Sequence, residues 1–182
     1  MRLADASENQ QLLNAIFALY DQAFPLDEQI DKTELLKMAR QGTCQIQALM
    51  DHQTFIGLSI TFNSNTYTYL AYFAIAPQLR GQGYGSQALT LIKGRYPKLL
   101  LEIETTYHPK SQNFTQRIKR KKFYQKNKLK ATNYTVNCYG VTMELMSTTD
   151  NYRYRDYVRL YEQIFGKKEA QTHIGLDTIL LS

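Results

Sequence analysis

Long hydrophobic runs are missing from this 182-residue chain. The longest purely apolar stretches extend for only a few residues, far short of the ~20 that cross a bilayer, so no membrane span is expected. The opening residues, MRLADASENQ, lack an apolar h-region, and no secretory signal is expected either. Cysteine is scarce. Cys44 and Cys138 stand far apart without metal-type spacing, which points to two buried thiols in a reducing, cytoplasmic setting and to no bound metal. Long polar low-complexity tracts, internal repeats and linkers are absent as well. With apolar residues at 43%, the chain has enough to bury a sizeable core, and disorder is not expected. Its length suggests one domain with an added terminal element, read as residues 1–150 plus a C-terminal helix and tail at 151–182 packed on the same domain.

What the chain does have is positive charge, +6 overall. A basic surface favours anionic partners such as phosphorylated cofactors, nucleic acid or acidic peptides. Much of the excess is local: eight Lys/Arg and no acid lie between Arg117 and Lys130. Arg117, Arg120, Lys121 and Tyr124 fall at helical spacing and share a face. Most of these charges are expected to be solvated, and the interleaved aromatics are too few for a base-stacking platform. A nucleic-acid partner is therefore a secondary reading, with this run as its footprint.

Hydrophobic period organises the rest. Leu12, Leu13, Ile16, Phe17, Tyr20 and Phe24 mark a helix over Ser7–Phe24, stopped by Pro25. A more polar helix follows over Asp27–Arg40, ended by Gly42. TCQIQALM and FIGLSITF flank the turn DHQT as an antiparallel hairpin. TYTYLAYFAI is a third strand. KLLLEIET reads as a strand buried on both faces, and the helix between these two implies a right-handed parallel crossover. FTQRIKRKKFYQKN is a basic helix, and YTVNCYGVTMELM a hairpin turned at Tyr139–Gly140. Tyr154, Tyr157, Val158, Tyr161 and Phe165 mark a last helix ended by Gly166. The tail IGLDTILLS has no clear type. The order predicts an α+β fold: a mixed, mostly antiparallel sheet flanked by helices, with one parallel β-α-β crossover.

Between the third strand and its helix stands APQLRGQGYGSQAL, with Gly81, Gly83 and Gly85 at alternate positions. Glycine lets the backbone reach positive φ and lets a ligand approach without a Cβ in the way. The loop leads into a helix N-terminus, where unpaired N–H groups and the dipole favour an anion, and Arg80 adds a cation at the rim. A nucleotide-triphosphate loop is excluded because no lysine follows before Lys93. Gly83-x-Gly85-x-x-Ala88 does match a dinucleotide fingerprint, with Glu102 or Glu104 near the place of a ribose-binding acid. The further β-α-β units that such a fold requires do not follow, which makes a nicotinamide-dependent enzyme the weaker reading.

The same segment resembles the acyl-CoA pyrophosphate loop of the GNAT superfamily of N-acetyltransferases, Arg/Gln-x-x-Gly-x-Gly/Ala, met by Arg80, Gly83 and Gly85, with Pro77 three residues before Arg80. FYQKNKLKATNYT is similar to the family segment that reads Phe/Leu-Tyr-x-x-x-Gly-Phe, and the order of elements from Cys44 to Met146 looks like the family core. Two departures stand out. Lys128–Leu129 replaces the usual Gly-Phe, so the turn there is expected to differ. TYTYLAYFAIA also carries no carboxylate where the family often has its base, which is the best support for an alternative, a non-catalytic acyl-CoA-binding module.

The resemblance implies acetyl transfer from acetyl-CoA, as cosubstrate, to an amine of a small molecule or peptide. It assigns the pantetheine chain to the backbone of Phe73, Ala74 and Ile75, with an N–H near Ala74 or Ile75 as oxyanion donor. The pyrophosphate goes to the amides of Arg80, Gly81, Gln82, Gly83, Tyr84, Gly85 and Ser86. Tyr124 matches the family tyrosine near the CoA sulfur and is the expected general acid. Glu102 and Glu104 share a strand face; Glu104 is the expected base, with His108 and a water chain to a tyrosine as the alternatives. Tyr67, Tyr69 and Tyr72, or some of them, are expected to line the slot, suiting an aromatic or cationic amine. A homodimer is the expected assembly.

Overall fold

The computed structural model describes residues 1–179. By contact the chain divides into two compact units: Met1–Asn63 with Leu70–Tyr96, and Ser64–Tyr69 with the chain from Pro97 onward.

The first unit holds strands β1 (Arg2–Asp5), β2 (Cys44–Asp51), β3 (Thr54–Asn63) and most of β4 (Thr68–Ile75), with helices α1 (Gln10–Ala23), α2 (Lys32–Arg40) and α3 (Tyr84–Arg95). Helix α1 starts at Gln10, later than the expected Ser7, because Asn9 caps it, accepting from Leu12 N at 3.0 Å. Its buried stripe is Leu13, Ile16, Leu19 and Tyr20, the spacing of one helical face. The expected helix over Asp27–Arg40 is shorter. Asp31 takes the amides of Thr33 and Glu34 at 2.8 and 3.3 Å, and that N-cap sets the start at Lys32. The preceding link is tied down by phenols: Ile30 N donates to Tyr20 Oη and Tyr72 Oη at 2.9 and 3.0 Å, and Tyr72 Oη donates to Glu28 O at 2.8 Å. In the β2–β3 hairpin, Ile46 faces Ile60 and Ala48 faces Leu58, all fully buried. Gly57 has a packing reason to be glycine, since a Cβ there would lie 2.2 Å from Ala74 O.

The second unit holds β5 (Leu99–Glu104), β6 (Lys130–Cys138), β7 (Val141–Ser147) and β8 (Ile174–Ile179), with α4 (Phe114–Lys126), α5 (Tyr154–Phe165) and α6 (Lys167–His173). The hairpin β6–β7 turns at Tyr139 and Gly140, both at positive φ, the geometry of a two-residue hairpin loop that follows strand twist. Helix α5 buries Tyr157, Leu160, Tyr161 and Ile164, a clean i, i+3, i+4, i+7 stripe. Hydrogen-bonded strand order is β1-β2-β3-β4-β5-β7-β6-β8. The β4–β5 pair is parallel, with Thr68 opposite Leu99 and Tyr69 opposite Leu100. The other described pairings are antiparallel, so the sheet is mixed and mostly antiparallel as expected.

Two features were not expected. Strand β1 is four residues long, too short to show a period. Helix α6 intervenes after Gly166, and the untyped tail begins as β8, which pairs antiparallel with β6; Leu180–Ser182 of that tail lie outside the described residues.

Candidate functional site

The glycine loop opens α3. Gly83 is its N-cap at φ +87°, ψ −9°, and Gly81 also has positive φ, +78°. Neither meets protein where a side chain would start. A Cβ at Gly81 would find nothing within 4 Å, and one at Gly83 only Gln87 Nε2 at 4.0 Å. The amides of Ser86 and Gln87 bond back to Gly83 O at 3.1 and 3.2 Å. Those of Gly81, Gln82, Gly83, Tyr84 and Gly85 donate to no acceptor among the described residues, and Gly81 to Gly83 are exposed. A run of unpaired N–H groups at a helix N-terminus is a binding surface for an anion. Arg80 is tied to the end of β4, its Nε donating to Ile75 O at 3.0 Å. Before the loop, Phe73 and Ile75 pack with Leu79 and Tyr84 against Leu49, Ile56 and Ala88, so these side chains serve the core.

In the second unit, Tyr124 is the one buried residue of α4, 8% exposed. Burial pushes its phenol up to about 12, partly opposed by the neighbouring Arg120 charge. The hydroxyl is thus held protonated, and it makes no hydrogen bond among the described residues. Glu104 ends β5 and is heavily engaged. Its Oε1 meets Arg117 Nη2 at 2.8 Å and accepts from Asn113 Nδ2 at 2.9 Å, while Oε2 meets Arg120 Nη1 at 3.0 Å. Glu102, two residues earlier, is half-buried and accepts from Tyr157 Oη at 2.8 Å. Burial raises its carboxyl above the ordinary range, against the hydrogen bonds of Tyr157, Tyr69 and Cys138. His108 is exposed in the loop before α4.

The expectation of slot-lining tyrosines is corrected. Tyr67, Tyr69 and Tyr72 are 8%, 7% and 6% exposed. Tyr67 Oη bonds to Thr149 Oγ1 at 3.1 Å, and Tyr72 holds the link before α2. Tyrosine buries its ring readily when the hydroxyl finds a partner. Most of the basic run is exposed, as expected: Lys119, Arg120, Lys122, Lys126, Lys128 and Lys130, although Arg120 and Lys130 are also ion-paired; Arg117 and Lys121 are sheltered in ion pairs. Lys128 sits at φ +64°, supplying with a lysine the left-handed turn that glycine usually makes.

A model of the Acetyltransferase (GNAT) family matches residues 13–118. The chain belongs to that family. Among curated proteins no relative matches, but solved structures do. A protein assigned to the GNAT family from Bacteroides thetaiotaomicron aligns with a TM-score of 0.77 at 22% identity, covering 91% of this chain and 99% of its own. The aminoglycoside 6'-N-acetyltransferase from Enterococcus faecium gives 0.59 at 12%, over 84% and 99%. A GNAT family acetyltransferase from Elizabethkingia anophelis with acetyl-CoA bound gives 0.53 at 15%, over 80% and 95%. At these identities the likeness is one of fold. Among the described residues no His, Cys, Asp or Glu group could hold a metal ion, and no helix is long and apolar enough to cross a membrane.

Sequence reasoning missed Glu144 of this GNAT chain. It is 3% exposed and meets Lys121 Nζ at 2.5 Å, and its Oε1 accepts from both N and Oγ1 of Thr106 at 2.6 Å. An acid in the apolar strand VTMELMS was the available signal, since a buried carboxylate needs a partner.

Proposed function

We propose that the chain transfers the acetyl group of acetyl-CoA to a primary amine of a small molecule or peptide. The observation that carries this is the run of unpaired amides from Gly81 to Gly85, on a loop with open space at both positive-φ glycines. Those amides, with Arg80 and Ser86, would hold the pyrophosphate, and the β4 backbone at Phe73, Ala74 and Ile75 would run beside the pantetheine chain. In the transfer, the amine nitrogen attacks the thioester carbonyl carbon. The C–N bond forms, the C–S bond breaks, and the phenol of Tyr124 gives its proton to the departing thiolate. The tyrosinate is reprotonated at the expense of the ammonium that the attack creates. Glu104 would act as the base only after releasing a guanidinium or the Asn113 amide.

The test is release of CoA thiol from acetyl-CoA across a panel of aminoglycosides, polyamines, aryl-alkyl amines and peptides. Acceptor-dependent release, lowered on the order of 100-fold in Tyr124→Phe with acetyl-CoA binding unchanged, is the expected result. Binding of acetyl-CoA without release for any amine would favour the non-catalytic module instead.

A further inference from the structure

Helix α4 has an unusual way of being held. Apart from Tyr124, none of its residues is buried, so apolar packing alone does not fix its register. The face that carries Tyr124 also carries Arg117, Arg120 and Lys121, at seven, four and three residues before it, and these are neighbours on a helix surface. Each meets a carboxylate from a strand. Glu104 at the end of β5 takes Arg117 and Arg120, and Glu144 on β7 takes Lys121. Strands β5 and β7 are hydrogen-bonded neighbours, with Glu104 opposite Met143 and Ile103 opposite Glu144.

The contacts extend into a network that leaves little slack. Arg117 Nε donates to Asn113 Oδ1 at 2.7 Å and its Nη1 to Thr105 O at 3.2 Å. Lys121 Nζ also reaches Thr106 Oγ1 at 3.1 Å and stands 5.2 Å from the centre of the Tyr107 ring. Side chains of Glu104, Arg117 and Lys121 are 15–17% exposed, while Arg120 is about half exposed. Exposed ion pairs contribute little, but partly buried and multiply bonded ones specify one arrangement over its neighbours, because sliding the helix would strand a charge.

We propose that Glu104 and Glu144 are positioning residues that clamp α4 through Arg117, Arg120 and Lys121 and thereby hold the Tyr124 phenol where it can serve the transfer. This role rests on the acetyltransferase reading above, and it differs from a base at Glu104. It also gives Arg120 a second task, since the guanidinium fixed by Glu104 is the cation beside the phenol.

A double-mutant cycle separates the roles. Glu104→Gln is expected to lower kcat on the order of tenfold in wild type, with KM for both substrates within about twofold, and to do almost nothing further in Tyr124→Phe, because residues acting through one group are non-additive. Glu144→Gln is expected to behave in the same way. A base would lose activity to the same factor in both backgrounds and would lose the acidic limb of the pH–rate profile; that outcome overturns the inference, as does unchanged kcat in both folded variants. Arg120→Lys, which keeps a charge for Glu104, is expected to retain most of the activity. An activity-free readout is the 19F spectrum of 3-fluorotyrosine placed at 124. Its resonance is expected to shift or broaden in Glu104→Gln and Glu144→Gln and to stay put in Lys119→Gln. An unmoved resonance in the first two would sink the clamp even if no amine substrate is found. Absence of thiol release by wild type with the fluorine response intact would instead count against the acetyltransferase reading alone.

Discussion

Two glycines at similar positive φ separate ligand binding from stability. Gly83 lies at φ +87° in the loop before α3, and Gly42 at φ +76° just after α2. An alanine Cβ would meet nothing closer than 4.0 Å at Gly83 and nothing within 4 Å at Gly42. Neither substitution carries a packing penalty, so each costs only the left-handed conformation, about 1–2 kcal/mol. For a chain of this size that lowers Tm by roughly 2–8 °C, measurable by scanning calorimetry, and the two variants should agree within experimental scatter. Binding should split them. If the open space over Gly83 is where a pyrophosphate approaches the amides, Gly83→Ala weakens acetyl-CoA by about tenfold or more, equivalent to ~1.4 kcal/mol beyond the strain. Gly42→Ala leaves affinity unchanged. Equal affinities for the two variants would refute the cradle, and a much larger stability loss at Gly83 would mean that the glycine is there for the fold.

Two further outcomes follow from groups the transfer does not use. Glu102 has a raised folded-state pKa, so the native chain binds more protons than the unfolded one from about the ordinary carboxylate pKa up to the raised value. Its contribution to stability is therefore fully present below that window and is lost as pH rises through it; denaturant titrations across pH should show a downward slope that Glu102→Gln flattens. Lys128 pays for a left-handed turn at φ +64°, and Lys128→Gly should raise stability by about 1 kcal/mol, with a lower Tm telling against strain at that turn.

Much of the fold was legible because period and punctuation agreed. The α5 stripe, the β6–β7 turn at Tyr139–Gly140 and the glycine loop before α3 all stand where residue spacing puts them. Misses have local causes. Asn9 and Asp31 set helix starts through side-chain caps, which apolar period does not report. Strand β1 is too short, and α6 carries too few apolar residues, to show a rhythm. The site was legible in its loop and less so in its side chains. Arg117, Arg120, Lys121 and Tyr124 could be put on one face, but that Glu104 and Glu144 answer them depends on strand pairing between residues some forty apart in sequence. Tyr67, Tyr69 and Tyr72 looked available because they sit in an aromatic strand, and burial with satisfied hydroxyls removed them.

The most direct test of the central claim is calorimetric titration of the wild-type chain with acetyl-CoA and, separately, with NAD. Saturable binding of acetyl-CoA at one site per chain, absent in Gly83→Glu and unmatched by NAD, is the predicted result. No heat from acetyl-CoA, or binding that Gly83→Glu leaves intact, would contradict it.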